Sequence, residues 1–132
     1  NLFSPEQSAG ICGNLMQESK INPIEINKTE GSQGIAQWNP SDKAGNRLGA
    51  LKDFSKERNL DFASLETQLQ FIVYELETAS YYGMAQLQAS SDITSATRIF
   101  SAKYERPNKR YERLNQRVQY AFDVYEQYYQ GS

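Results

Sequence analysis

Glu18 is the carboxylate whose surroundings point most directly to chemistry. It ends the run Gly13-Asn14-Leu15-Met16-Gln17-Glu18-Ser19, and a polar, glycine-rich stretch, Gly31-Ser32-Gln33-Gly34-Ile35-Ala36-Gln37-Trp38, follows it. A carboxyl at the edge of an apolar helix face holds its proton toward neutral pH, because burial disfavours the anion. The negative end of the helix dipole acts in the same direction. A carboxylic acid kept protonated beside a cleft is the general acid that glycosidic-bond cleavage requires. The competing reading is a solvent-facing charge at a helix end.

Absences narrow the chemistry further. The 132-residue chain contains no His and one Cys. Serine and cysteine nucleophile systems in their usual form are therefore excluded, as are His-based zinc sites and an internal disulfide. Neither a metal nor a cofactor is expected. Cys12, among apolar neighbours, reads as a small core residue. No glycine-rich phosphate loop is present, so carboxylates, tyrosines, lysines or amides must carry any catalysis. The net charge of −2 gives no basic footprint for nucleic acid, and no apolar run is long enough to span a membrane. A basic-then-apolar leader is also missing. Asn1 in place of Met and the Gly131-Ser132 end lead us to expect a single domain, 1–132, excised from a longer protein.

The elements that must position Glu18 follow from local signals. Ser4-Pro5-Glu6-Gln7 predicts a helix start: Ser4 caps, Pro5 suits the first helical position and Gln7 completes a capping box. That helix runs to about Glu18 and buries Ile11, Cys12, Leu15 and Met16, with Gly10 and Gly13 explained by close approach of another helix. Residues 20–39 show no helical period and predict a short hairpin or irregular loop. Pro40-Ser41-Asp42 introduces a helix over about 43–58, with Leu48, Leu51 and Phe54 inward. Ser64 caps a helix over about 65–77, with Leu65, Leu69, Ile72, Val73 and Leu76 on its apolar face. A short helix is expected near 81–89. Asp92 caps another over about 93–104, with Ala96, Ile99 and Phe100 inward, and Pro107 ends it. The last spans about 109–129, with Leu114, Val118, Ala121, Phe122, Tyr125 and Tyr128 on its seam. The expected fold is mainly α, or α+β, with about six helices and one β-like excursion after the first.

Four blocks resemble the phage-tail lysozyme domains. They are Ala9-Gly10-Ile11-Cys12-Gly13-Asn14-Leu15-Met16-Gln17-Glu18-Ser19, Gly34-Ile35-Ala36-Gln37-Trp38, Gln68 to Leu76, and Phe100 with Tyr104-Glu105-Arg106-Pro107. They stand in the family's order and cover about residues 8–107. Goose-type lysozymes and lytic transglycosylases have a similar Glu-Ser pair and a Gly-x-x-Gln element. The resemblance implies cleavage of the β-1,4 bond between N-acetylmuramic acid and N-acetylglucosamine in peptidoglycan, with Glu18 as the catalytic acid. It also implies a glycan strand as partner, an extracellular, cell-wall or virion setting, and fusion to a second wall hydrolase or to a tail or conjugation domain. Two alternatives stay open: a lytic transglycosylase giving 1,6-anhydro ends, and a non-catalytic wall-binding or assembly domain.

Within that frame a second carboxylate is expected as base or nucleophile. Glu30 in the polar loop is the first candidate, Asp42 the second and Glu25 the third; the substrate's own acetamido group is an alternative to all three. Gln37 carries donors and an acceptor suited to an acetamido or hydroxyl group, or else braces its loop. Trp38 either stacks on a sugar or packs in the core. Asn14, one turn before Glu18, orients the acid or the substrate. Tyr104 and Glu105, just before Pro107, are placed to reach a cleft floor or to brace it. Glu75, among apolar residues, reads as a buried and paired structural carboxylate.

Overall fold

The computed structural model describes residues 2–130, the side chains of Tyr111 and Gln130 excepted. The end residues behind the excised-domain expectation lie outside that range. The fold is mainly α, as expected. Six α-helices occur among the described residues: α1 (Pro5–Ser19), α2 (Arg47–Glu57), α3 (Leu65–Thr78), α4 (Met84–Ala89), α5 (Ile93–Ile99) and α6 (Leu114–Tyr125). The chain divides into two compact units. One takes the described residues up to Gln17 and from Leu76 onward; the other is Glu18–Glu75.

In the first unit, α1 begins as its sequence dictates. The Gln7 backbone N–H donates to Ser4 Oγ at 3.1 Å, and the Ser4 N–H donates to Gln7 Oε1 at 2.9 Å, a reciprocal cap. The Gln7 amide also donates to the carbonyls of Gln88 and Ser90, so the cap anchors the end of α4. Gly13 lies so near α6 that a Cβ there would sit 2.5 Å from the Arg117 carbonyl oxygen, and Gly10 is similarly tight against Ala96 on α5. Asp92 caps α5 by accepting from the Ser95 N–H at 2.8 Å. Those hydrogen bonds hold its carboxyl below the usual range.

Two expectations change in this unit. The helix begun at Ile93 widens into a π-turn over Phe100–Glu105 instead of continuing as α. The last helix is interrupted: a 3₁₀ turn over Lys109–Tyr111 ends, Arg113 adopts φ 45, and α6 starts only at Leu114. Its inward residues are Arg117 and Ala121, while Phe122 and Tyr128 face solvent. Arg117 lies inward because its donors have carbonyl and amide acceptors there, including Glu112 O at 2.6 Å.

The second unit contains the last residues of α1, an irregular segment, α2, and α3 as far as Glu75. The β-like excursion is reduced to two isolated antiparallel bridges, in which Gln33 pairs with Ile26 on one side and Trp38 on the other. The helix expected over 43–58 also breaks. A 3₁₀ turn over Asp42–Ala44 is capped by Ser41. Gly45 and Asn46 then take positive φ, and the Asn46 side chain accepts from the Gly49 N–H, so α2 starts at Arg47. Leu48, Leu51 and Phe54 are buried as predicted. Ser64 caps α3 through the Thr67 N–H at 3.2 Å, and Ile72 and Leu76 are buried as expected, but the first two turns of the buried face are rotated from the expected one. Thr67, Gln68, Phe71, Ile72 and Glu75 point inward, and Leu65 and Leu69 are exposed. Phe71 packs edge-on to Trp38 with ring centres 5.5 Å apart, and Phe54 packs against both Phe71 and Tyr74. No helix among the described residues is long and apolar enough to cross a membrane.

Candidate functional site

The end of α1 is fixed by backbone conformation and by one hydroxyl. After Glu18 and Ser19, Lys20 and Ile21 take φ of 57° and 58°, left-handed values that stop a helix. Such values are rare for a β-branched residue like Ile21. The Asn22 N–H returns to the Ser19 carbonyl at 3.1 Å. The Ser19 hydroxyl, itself buried, donates to the Ile35 carbonyl at 2.7 Å. The Glu18 backbone is thereby held one residue from a clasp to the Gly34–Trp38 turn, and its side chain is half-buried.

That turn is closed by Gln33 and Trp38, whose N–H and carbonyl groups pair reciprocally at 3.0 and 2.9 Å. Gly34 takes φ 89, and a Cβ there would sit 2.9 Å from both Gln68 Oε1 and the Trp38 ring. Both conformation and space demand glycine at this position. Gln37, also left-handed at φ 57, folds its amide back and donates to the Gly34 carbonyl at 2.9 Å and the Glu25 carbonyl at 3.2 Å. Its donors brace the loop, and Oε1 is the group with no partner among the described residues. Chemically, Gln37 can still accept a hydrogen bond from an amide or hydroxyl.

Beneath the turn lie three polar side chains buried for structural reasons. Gln68 accepts from the Ile35 N–H at 2.9 Å and donates to the carbonyls of Pro23 and Phe62, each at 2.9 Å. Trp38 is 1% exposed, and its indole N–H donates to Glu75 Oε1 at 3.0 Å. This corrects the sugar-stacking expectation: the ring packs on Phe71 and presents no face to solvent. Glu75 is gripped by the Arg47 guanidinium through two bonds, at 3.1 and 2.9 Å. It is the paired structural carboxylate its neighbours suggested.

The candidate second carboxylates lie on exposed backbone. Glu30 sits on a loop shaped by Asn27, whose side chain accepts from the N–H groups of Thr29 and Glu30. Asp42 opens the 3₁₀ turn and is exposed, and Glu25 is exposed with a weak contact from the Asn22 amide. An apolar pocket of about 230 Å³ also opens in this unit, walled by Pro23, Ile24, Ile26, Leu51 and Phe62. None of the candidate catalytic or substrate-binding residues named from the sequence lines it.

The remaining candidates belong to the first unit. Asn14 is 0% exposed. Its amide donates to the carbonyls of Gly10 and Thr97 at 2.9 and 3.1 Å, and its oxygen accepts from Arg117 Nη1 at 3.1 Å. The expectation that it touches substrate is corrected: it ties α1, α5 and α6 together. Tyr104 is also 0% exposed, with its ring stacked on Phe100 at 4.5 Å and tilted against Tyr82. That ring is core rather than cleft floor. Glu105 is half-buried at the end of the π-turn. Burial pushes the Cys12 thiol up, which leaves it a poor nucleophile.

Two residues that shape the site escaped the sequence reading. Arg47 and Gln68 stand in ordinary amphipathic patterns, and their partners lie 28 and 33 residues away. The one available signal was that Gln68, Phe71, Ile72 and Glu75 share a helical face. Finally, the family model described as phage tail lysozyme matches residues 1–128 of the chain.

Proposed function

Because the chain belongs to the phage tail lysozyme family, we propose that it is a muramidase that cleaves the β-1,4 bond between N-acetylmuramic acid and N-acetylglucosamine, with Glu18 as the general acid. The observation that supports this most is the clasp from Ser19 to Ile35 at 2.7 Å. It fixes the helix end bearing Glu18 beside the Gly34–Trp38 turn. A general acid is effective only when held within hydrogen-bond reach of the leaving oxygen, and a rigid helix end beside a braced turn supplies such a mount. Gln37 Oε1 is the group on that turn suited to accept from the substrate's acetamido N–H. Glu30 is the first choice for the second carboxylate, followed by Asp42. The protein acts from the virion on the bacterial wall, with the glycan strand as its partner.

A second reading, a lytic transglycosylase, is favoured by the exposure of Glu30, Asp42 and Glu25. In that route one carboxyl donates the proton to the leaving oxygen and then removes one from the sugar's own 6-hydroxyl, so no second carboxylate is needed. Clearing of purified walls by wild type and Glu18→Gln, with mass spectrometry of the released ends, tests both readings. Loss of the acid should lower the rate by about 10²–10⁴-fold. A new reducing end marks hydrolysis and a 1,6-anhydro end marks transglycosylation. Equal clearing by the two proteins rules out Glu18 as the acid.

A further inference from the structure

The first unit segregates its charge. It holds seven cations, and six of them, Arg98, Lys103, Arg106, Lys109, Arg110 and Arg113, fall within sixteen consecutive residues. All six are exposed, whereas the seventh, Arg117, is buried. The only carboxylates in the same segment, Glu105 and Glu112, are half-buried. Among the described residues none of the six cations makes an ion pair. The unit's other acids, Glu6, Glu77, Asp92, Asp123 and Glu126, lie elsewhere in the chain.

One member of the cluster is held in place. Arg106, at φ 52, donates from Nε to the Lys103 carbonyl at 2.9 Å and from Nη2 to the Tyr81 carbonyl at 3.1 Å. Its guanidinium stands 5.1 Å from the ring centres of both Tyr81 and Tyr82. Tyr81 is 62% exposed. A fixed cation beside an open aromatic face, followed by three more cations over the next seven residues, forms a strip and not a pocket.

We propose that this strip, residues 98–113 with Tyr81, docks a phosphodiester polymer of the bacterial wall. The identity of the polymer rests on the wall-lytic reading above; the existence of an anionic ligand rests on the strip alone. Spaced cations match spaced phosphates, and Tyr81 offers a stacking face to a sugar or polyol unit. Each contact is weak and screened by salt. Because the polymer is anchored in the same wall as the glycan, its high local concentration makes weak contacts sufficient. Nucleic acid in free solution lacks that advantage against a chain of net charge −2.

Sedimentation with purified walls, before and after acid extraction of their phosphodiester polymers, tests the proposal. All proteins carry Glu18→Gln so that lysis does not intrude, and the wild type is run in parallel. Lys109→Glu with Arg110→Glu should bind unextracted walls at least about tenfold more weakly at ~50 mM salt. That difference should vanish at ~500 mM salt and on extracted walls. Lys43→Glu with Lys56→Glu, the same charge change on exposed cations of the other unit, should bind as the parent does, and all variants should melt alike. Equal binding by strip variant and parent overturns the proposal, as does parent binding unchanged by extraction or tighter binding to duplex DNA than to walls. Failure of the strip leaves lysis of extracted walls intact. Failure of the Glu18 assignment leaves salt-sensitive binding intact.

Discussion

Each unit is organised around one buried side-chain amide, and the two amides do different work. Asn14 and Gln68 both donate twice and accept once, so in each both amide hydrogens and the oxygen are engaged. Asn14 joins regular helices whose own backbone hydrogen bonds already exist, and its acceptor oxygen holds a buried cation, Arg117. Gln68 joins irregular backbone: the carbonyls of Pro23 and Phe62 and the N–H of Ile35 have no helix or ladder to satisfy them. A buried amide among helices locks packing. A buried amide under loops substitutes for secondary structure, because unpaired backbone groups are costly away from water. The clasped end of α1 with Glu18 belongs to the second kind of region.

Removing each amide separates the two roles. Asn14→Ala strands a buried guanidinium donor and should cost about 3 kcal/mol, a fall in melting temperature of roughly 10 °C. Below that temperature the folded enzyme should retain its turnover. Gln68→Ala should cost somewhat less, about 2 kcal/mol, yet lower turnover well beyond any loss of folded protein, because the Ile35 N–H is released beside the clasp. Thermal melts and wall-clearing rates at ~20 °C decide the matter. Full activity in Gln68→Ala would erase the distinction.

The two regions were also unequally legible. The caps at Ser4 with Gln7, Ser64 and Asp92, and the close approaches at Gly10 and Gly13, were readable because their causes lie within a few residues or in the absence of a side chain. The first turns of α3 were misread because Gln68 is polar and Leu65 and Leu69 are not, and period alone assigns polar groups outward, whereas the burial of Glu75 was legible from its apolar neighbours. The Ile35 partner of Gln68 is remote in the chain, so nothing local reveals that its amide is satisfied. The burial of Trp38 and Asn14 was hidden for the same reason, since Trp38 is held by Glu75 and Asn14 by Thr97 and Arg117, all remote in the chain. The unwinding at Gly45-Asn46 and at Arg113 came from left-handed backbone, which sequence signals at Gly45 and Asn46 but hardly at an arginine.

Ser19→Ala probes the clasp directly. The hydroxyl bond to the Ile35 carbonyl is buried, so its loss should cost about 1–2 kcal/mol. The larger effect is on position: a helix end displaced by a fraction of an ångström should lower kcat by about tenfold or more. KM should move little, since no substrate contact is removed. A KM change with kcat intact would make Ser19 a binding group and not a positioning one.

The smallest expected effect is the most discriminating about strain. Ile21 holds φ 58, a value that costs an L-residue roughly 1–2 kcal/mol, two residues after Ser19 and three after Glu18. Glycine at 21 removes that penalty but adds backbone entropy to the unfolded chain, about 0.5–1 kcal/mol, and gives up the contacts of a half-buried side chain. The terms nearly cancel, so Ile21→Gly should melt within a few degrees of wild type. If the left-handed pair Lys20–Ile21 is kept to fix the exit from α1, the same variant should lose turnover while keeping its stability, because glycine lets the exit sample other conformations. A drop in stability by more than about 1 kcal/mol would instead mean that Ile21 is retained for its packing, and that the strain beside Glu18 is incidental to the site.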